Sequence, residues 1–320
     1  MKKFQLTGIA CSLAILSISS APTFAQTTGI DEPIRNRSRG PMVSSIDVPE
    51  EIAPVTTSVI TVHDQHTVEI VQRIPVGEGL FPVIVFVHGG HRYQPLENRI
   101  DQSLNDPSIT RLLAAGFGVV LASFRSHEQF EADNLGPVED LAAILEELRI
   151  SPRIDPNSII MLGHSSGGRL TLELAGRPEA PTAVIVSEPA TTLLAELFPD
   201  PGPNVPRDPY TPNMDVGINF EKYHNSEKQI ILENKVQRIS PPVMLIHSDV
   251  HPVNRVNAEL LIPALTKYNK LIKEINYPGY GHGYLHGRDG MTEEGIEIIV
   301  TDIVAYSSRY IAVKPRPLSF

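Results

Sequence analysis

The six residues Gly163-His164-Ser165-Ser166-Gly167-Gly168 constrain this chain more than any other stretch. They follow the apolar run Ile159-Ile160-Met161-Leu162 and precede a helical pattern from about Gly167 to Leu174. A strand that must become a helix in so few residues leaves its middle residue in strained backbone geometry, and Gly163 and Gly167 remove side chains that would collide there. A serine on such a turn projects its hydroxyl beyond the end of the strand, where a substrate can meet it. Ser165 is thus the candidate nucleophile. Ser166 is its rival, but the glycine spacing favours Ser165, and Ser166 is better used to give its backbone N–H to an oxyanion.

The flanking sequence alternates strand-like and helix-like runs. Val55 to Val62 and Thr67 to Ile74 suit an antiparallel pair, and Pro82 to Val87 is a continuous apolar run of the kind a central strand covered on both faces requires. Further strands are expected at Gly118 to Phe124, Ser158 to Leu162, Ala183 to Ser187, Val243 to His247 and Leu271 to Tyr277. Helices are expected near Ile109 to Ala115, Pro137 to Leu148, Val256 to Tyr268 and Thr292 to Tyr310. This order specifies an α/β fold, a mostly parallel sheet with helices on both faces. One stretch departs from it: Pro189 to Pro212 holds seven prolines, and polar sequence continues to about Asn234. Residues 189–234 are therefore expected to form an insert, a lid or a wall of the substrate pocket.

A serine hydroxyl needs a base to take its proton, and imidazole titrates in the useful range. His282, in Tyr280-Gly281-His282-Gly283-Tyr284, lies between the last strand and the last long helix and is the candidate base. His286, four residues on, is expected to be an ordinary surface histidine of that loop. The turn Val87-His88-Gly89-Gly90-His91 follows the central apolar run, and the backbone N–H groups of Gly89 and Gly90 can serve an oxyanion with no side chain in the way. A metal site would need another pattern. His282 with His286 and His247 with His251 have i, i+4 spacing, but no HExxH motif and no carboxylate cluster accompanies either pair, so neither a metal nor a cofactor is expected.

The first residues resemble an export signal. Lys2 and Lys3 precede an apolar stretch from Leu6 to Ile18, and Thr23-Phe24-Ala25 before Gln26 offers a small-residue cleavage site. The run is too short and too soon broken by Ser17, Ser19, Ser20 and Pro22 to suit a membrane anchor. Cleavage after residue 25 would remove Cys11, the one cysteine, and the expected location is a bacterial periplasm or the medium. Residues 26–50 are polar and aperiodic and are expected to form a linker to a catalytic domain spanning 51–320. The formal net charge of −10 argues against a nucleic-acid partner, which demands a dense basic footprint.

Taken together, these residues resemble the α/β-hydrolase superfamily, most closely the branch of dienelactone-hydrolase-like esterases and prolyl-oligopeptidase-type catalytic domains. The resemblance spans roughly residues 55 to 312. It is carried by Arg153-Ile154-Asp155-Pro156-Asn157 leading into the GHSSGG turn, by the HGG turn, and by Tyr277-Pro278-Gly279-Tyr280-Gly281-His282-Gly283. It implies the α/β-hydrolase fold and a serine-acyl mechanism. It also implies a triad acid after the strand Val243 to His247, where this chain carries His251 instead. A histidine cannot supply the negative charge that orients the base. Glu188, at the end of the strand Ala183 to Ser187, and Asp249, two residues before His251, are the alternative acids.

The function expected from this resemblance is an exported serine hydrolase acting on small carboxylic esters. Short peptides are an alternative substrate, as for a prolyl-oligopeptidase-type peptidase. A noncatalytic binding protein on a degenerate hydrolase scaffold is the alternative of another class, prompted by His251.

Overall fold

The computed structural model describes residues 43–126, 135–197 and 215–320. The expected signal peptide, residues 26–42 of the expected linker and the proline-rich part of the insert at 198–214 lie outside the described residues.

Eight strands form one sheet: β1 (Val55–Thr61), β2 (Thr67–Arg73), β3 (Phe81–Val87), β4 (Gly118–Ala122), β5 (Ile154–His164), β6 (Ala183–Ser187), β7 (Val243–His247) and β8 (Leu271–Asn276). Their order is β1-β2-β4-β3-β5-β6-β7-β8. Strand β2 pairs antiparallel with both β1 and β4, and every pairing from β4 through β3 to β8 is parallel.

Period-two alternation assigns the apolar side chains to the two faces. Val83, Val85 and Val87 of β3 face one core with Ile159 and Met161 of β5 and Val184 and Val186 of β6. Ile84 and Phe86 face the other with Ile160, Leu162 and Ile185. Helices α3 (Gly136–Ile150) and α4 (Ser166–Ala175) cover the first face through residues such as Leu141 and Leu170. Helix α2 (Pro107–Ala114) and the helix Glu293–Ser307 cover the second through Leu112 and Ile299. The central strands are buried throughout because both faces are covered, whereas β8 at one edge alternates between exposed and partly buried residues.

Several boundaries differ from the sequence expectation for identifiable reasons. Helix α1 (Leu96–Asn105) was not expected, because its inward stripe holds Arg99 and Ser103 instead of apolar residues. Arg99 is buried with its guanidinium donating to the carbonyl of Ala122, so the amphipathic signal is hidden. The tail of the expected insert is not irregular: Ser226–Arg238 is a helix, started by the Asn225 side chain accepting the N–H of Lys228 at 2.9 Å and anchored by buried Leu232 and Val236. The expected helix Val256 to Tyr268 starts earlier and contains a π-helical turn at Asn257–Leu261 between Val253–Val256 and Ile262–Lys267. Residues 43–50, expected to be linker, are part of the domain. Val43 and Val48 are buried in the second core, and the Arg73 guanidinium donates to the carbonyls of Val48 and Ala53.

The parallel registers bring the carboxyl ends of the central strands level. Val87 is paired with Gly163, His164 with Ser187, Ser187 with Ile246 and His247 with Asn276. The loops leaving β3, β5, β6, β7 and β8 therefore gather at one edge of the sheet, the usual place for a site in a parallel α/β fold.

Candidate active site

Ser165 sits between β5 and α4 with φ 54° and ψ −119°, a left-handed conformation that a serine adopts only when its surroundings impose it. They do so from both sides. Its N–H donates to the carbonyl of Ser187 at 2.9 Å, and its carbonyl accepts the N–H of Ala190 at 2.9 Å. A Cβ on Gly163 would lie 2.3 Å from Thr171 Oγ1, and one on Gly167 would lie 2.2 Å from the carbonyl oxygen of Val87. The glycine spacing legible in the sequence is thus a requirement of close backbone approach.

Ser165 borders a cavity of about 420 Å³ together with His282, Glu188, Gly89, Gly90 and Ser166. His282 stands on the loop after β8, and its Nδ1 meets Glu188 Oε2. A carboxylate accepting from Nδ1 fixes the neutral imidazole as the Nδ1–H form and leaves Nε2 with its lone pair. His282 Nε2 makes no hydrogen bond among the described residues. No hydrogen bond joins the Ser165 hydroxyl to His282 either, so the two share a cavity without being linked.

Glu188 follows β6 directly, with a positive φ of 44° that turns its side chain under the loops. It is fully buried, and its second oxygen accepts from Ser248 N–H at 3.2 Å, Ser248 Oγ at 2.7 Å and Asn254 Nδ2 at 2.9 Å. Burial opposes ionisation, but the hydrogen bond and charge of His282, together with the Asn254 amide, outweigh it and hold the carboxyl well below the usual range. Asp249 is not at the histidine. It is exposed, and its Oδ1 accepts the Gly279 N–H at 2.7 Å, bracing the loop that carries His282.

His251, at the position where a carboxylate was implied, lays its ring against His282 with centroids 4.3 Å apart and planes 26° from parallel. Burial and the neighbouring His282 lower its pKa from 6.5 to about 3, so it is neutral near pH 7. His164, on the other side of His282 with centroids 4.7 Å apart, is likewise driven well below its ordinary value by burial and by His282. The cluster thus keeps aromatic surface around His282 without adding positive charge.

The HGG turn lies against the serine turn. A Cβ on Gly89 would be 3.1 Å from Ser165 Cβ, and Gly90 has a φ of +84°. His88 is buried, stacks on Phe124 at 4.1 Å, and its Nδ1 donates to the Gly89 carbonyl at 2.8 Å. Because the peptide is planar and trans, holding that carbonyl toward His88 turns the Gly90 N–H the opposite way. No described acceptor takes the N–H of Gly89, Gly90 or Ser166.

His286 is not the ordinary surface histidine that its sequence position suggested. Its Nδ1 lies 2.6 Å from Asp106 Oδ2, and the residue borders the same cavity. Asp106 is 180 positions away, so no local pattern announced the pair. His247, the other half of the i, i+4 alternative, lies 3.1 Å from Glu274.

Comparison with known proteins bears on the family and the fold. The Alpha/beta hydrolase family matches residues 84–257, from within β3 into the π-helical turn. Esterase EstD of Thermotoga maritima is 31% identical over 130 residues, which is 38% of this chain and 30% of that protein, so the match spans under a third of the relative's length. Among solved structures, carboxyl esterase 2 of the fungus Tuber melanosporum superposes with a TM-score of 0.59 at 18% identity, over 83% of this chain and 89% of the other. A dienelactone hydrolase from Anabaena variabilis gives 0.50 at 16% identity, over 81% and 99%. The fold is shared at identities too low to carry activity with it, but the family match covers more than half of the 320 residues and includes the HGG turn, the serine turn and Glu188. The chain belongs to the alpha/beta hydrolase family.

Proposed function

We propose that the protein is an exported serine hydrolase that cleaves carboxylic esters through an acyl-enzyme on Ser165. The observation that carries this reading is the buried Glu188 carboxylate on His282 Nδ1, in one cavity with a serine held at positive φ. In the first half of the reaction His282 Nε2 takes the Ser165 proton as Oγ bonds to the ester carbonyl carbon. The carbonyl oxygen becomes an oxyanion and accepts the N–H of Ser166 and of Gly89 or Gly90. Glu188 stabilises the imidazolium formed at that moment. The carbon–oxygen bond to the alcohol then breaks, and His282 returns the proton to the departing oxygen. Water, deprotonated by His282, releases the acid and frees Ser165.

His251 prompted the alternative of a noncatalytic scaffold, and Glu188 removes its motive, since the charge absent at 251 is supplied from the end of β6. The esterase names among the relatives favour esters as the substrate class. Export rests on residues 1–25 and would leave Gln26 as the first residue of the mature chain.

The test is covalent labelling. A fluorophosphonate probe should add its phosphonyl mass to the peptide that contains Ser165, and the protein should turn over p-nitrophenyl acetate. An unlabelled Ser165 in folded protein would reject the acyl-enzyme.

A further inference from the structure

A second histidine–carboxylate pair stands beside the first, and the mechanism above does not use it. His286 ends the short 3-10 turn Tyr284–His286, and its Nδ1 lies 2.6 Å from Asp106 Oδ2. Asp106 is buried and cannot swing away, because its other oxygen caps α2 by accepting the N–H groups of Ser108 at 3.0 Å and Ile109 at 3.2 Å. The imidazole is fixed in its plane as well. Phe86 meets it edge-on at 5.5 Å and 84°, and His164 meets it at 5.3 Å and 89°.

That environment decides what His286 offers. The carboxylate accepts, so Nδ1 donates, and Nε2 of the neutral ring is left as an acceptor. Nε2 has no hydrogen-bond partner among the described residues, and the side chain is 22% exposed. A positioned acceptor with an open face is suited to a hydroxyl from outside the chain.

The opening lies where substrate would pass. His286 borders both the cavity at Ser165 and an adjoining lobe of about 640 Å³, and the two share the Gly89–Gly90 turn. The lobe's wall carries Arg92, Asn98, Gln102 and Arg288. An alkyl chain laid there would displace water from these groups without replacing its hydrogen bonds. An arm bearing several hydroxyls would replace them. The cavity at Ser165, by contrast, is bordered by Ala190 and Val253, which suit a short acyl group.

On the ester-hydrolase reading above, we propose that His286 is a specificity residue that accepts a hydrogen bond from a hydroxyl of the substrate's alcohol arm. The natural substrate is then a short-chain ester of a polyhydroxylated alcohol, with the alcohol in the polar lobe and the acyl group at Ser165.

The experiment compares glycerol 1-monobutyrate with propyl butyrate, which has the same carbon chain without the free hydroxyls. The native protein should show kcat/KM at least about 10-fold higher for the glycerol ester, about what one satisfied hydrogen bond supplies. In His286→Phe that ratio should fall toward 1, and in His286→Gln, whose amide oxygen can accept, it should recover in part. A native ratio near or below 1, or an unchanged ratio in His286→Phe, would overturn the proposal. Should the Phe variant not fold, His286→Ala serves in its place, and a ratio there as high as in the native protein would overturn the proposal. Turnover of neither ester while Ser165 is labelled would also reject the polyol assignment. Turnover of neither with Ser165 unlabelled would remove the ester-hydrolase reading itself.

Discussion

Glu188 and His282 are 94 residues apart in sequence, yet Glu188 Oε2 meets His282 Nδ1, with the carboxylate fully buried and the imidazole 28% exposed. The carboxylate is thus anchored inside the protein and the imidazole opens to the cavity. The carboxylate reaches this place because β6 ends beside β5, with Ser187 paired to His164, and because the positive φ at Glu188 turns the chain at once.

Glu188→Gln keeps the size of the side chain and removes its charge, so the imidazolium of the proposed acylation step would lose its partner. The expected result is a fall in kcat of at least two orders of magnitude, about 2.7 kcal/mol of transition-state stabilisation. Asp249→Asn should cost little, since Asp249 is exposed and bonded to the Gly279 N–H. Steady-state kinetics on p-nitrophenyl acetate checks the ranking, and a crippled Asp249→Asn beside an active Glu188→Gln would reverse the assignment.

Ser165→Ala should abolish turnover of the same ester. Ser166→Ala should retain a substantial fraction, because the proposed contribution of Ser166 is a backbone N–H that alanine keeps. Equal loss in the two variants would mean that the elbow does not single out Ser165.

The serine turn was legible because glycine is required wherever backbones approach as closely as Gly167 approaches the carbonyl of Val87, and that requirement shows in the residue type itself, whichever element it meets. The sheet was legible too, since central strands such as β3 are apolar throughout. The carboxylate beside His282 was left open between Glu188 and Asp249, because both follow strands that end at the site, and only the fold shows that Glu188 turns inward to His282 and Asp249 braces Gly279. His286 was misjudged for a similar reason, its partner Asp106 lying on a different element. In α1 the sequence pattern misled outright, because a buried arginine satisfied by the Ala122 carbonyl occupies a position where an apolar residue was sought.

Gly167→Ala tests the close approach at the turn. The added methyl would lie 2.2 Å from the Val87 carbonyl oxygen and 2.4 Å from that of His88, both backbone atoms that cannot rotate away. Overpacking of this kind costs about 1–3 kcal/mol. It would also push the HGG turn away from Ser165. Denaturant unfolding should show the stability loss and kinetics a larger fractional loss of kcat, whereas a variant with native stability and native kcat would contradict the packing described.

His251 makes the protein sensitive to mild acid. In the unfolded chain its pKa is near 6.5, and in the folded protein burial and the charge of His282 lower it to about 3. Between those values the unfolded state binds the proton and the folded state does not, so stability rises with pH and is lost as pH falls from about 6.5 toward about 3. Glu188 acts in the same direction but lower down. Its depressed pKa gives stability that is complete above its ordinary value of 4.5 and lost only below it. The interval from pH 6.5 to 4.5 therefore isolates the buried histidines, His251 and His164, from the carboxylate. His251→Phe keeps an aromatic ring against His282 and removes one titrating group. Thermal unfolding followed across that interval should show a Tm that falls less steeply in the variant than in the native protein. Parallel curves would show that His251 takes up its proton equally in both states and that its ring is not held neutral against His282.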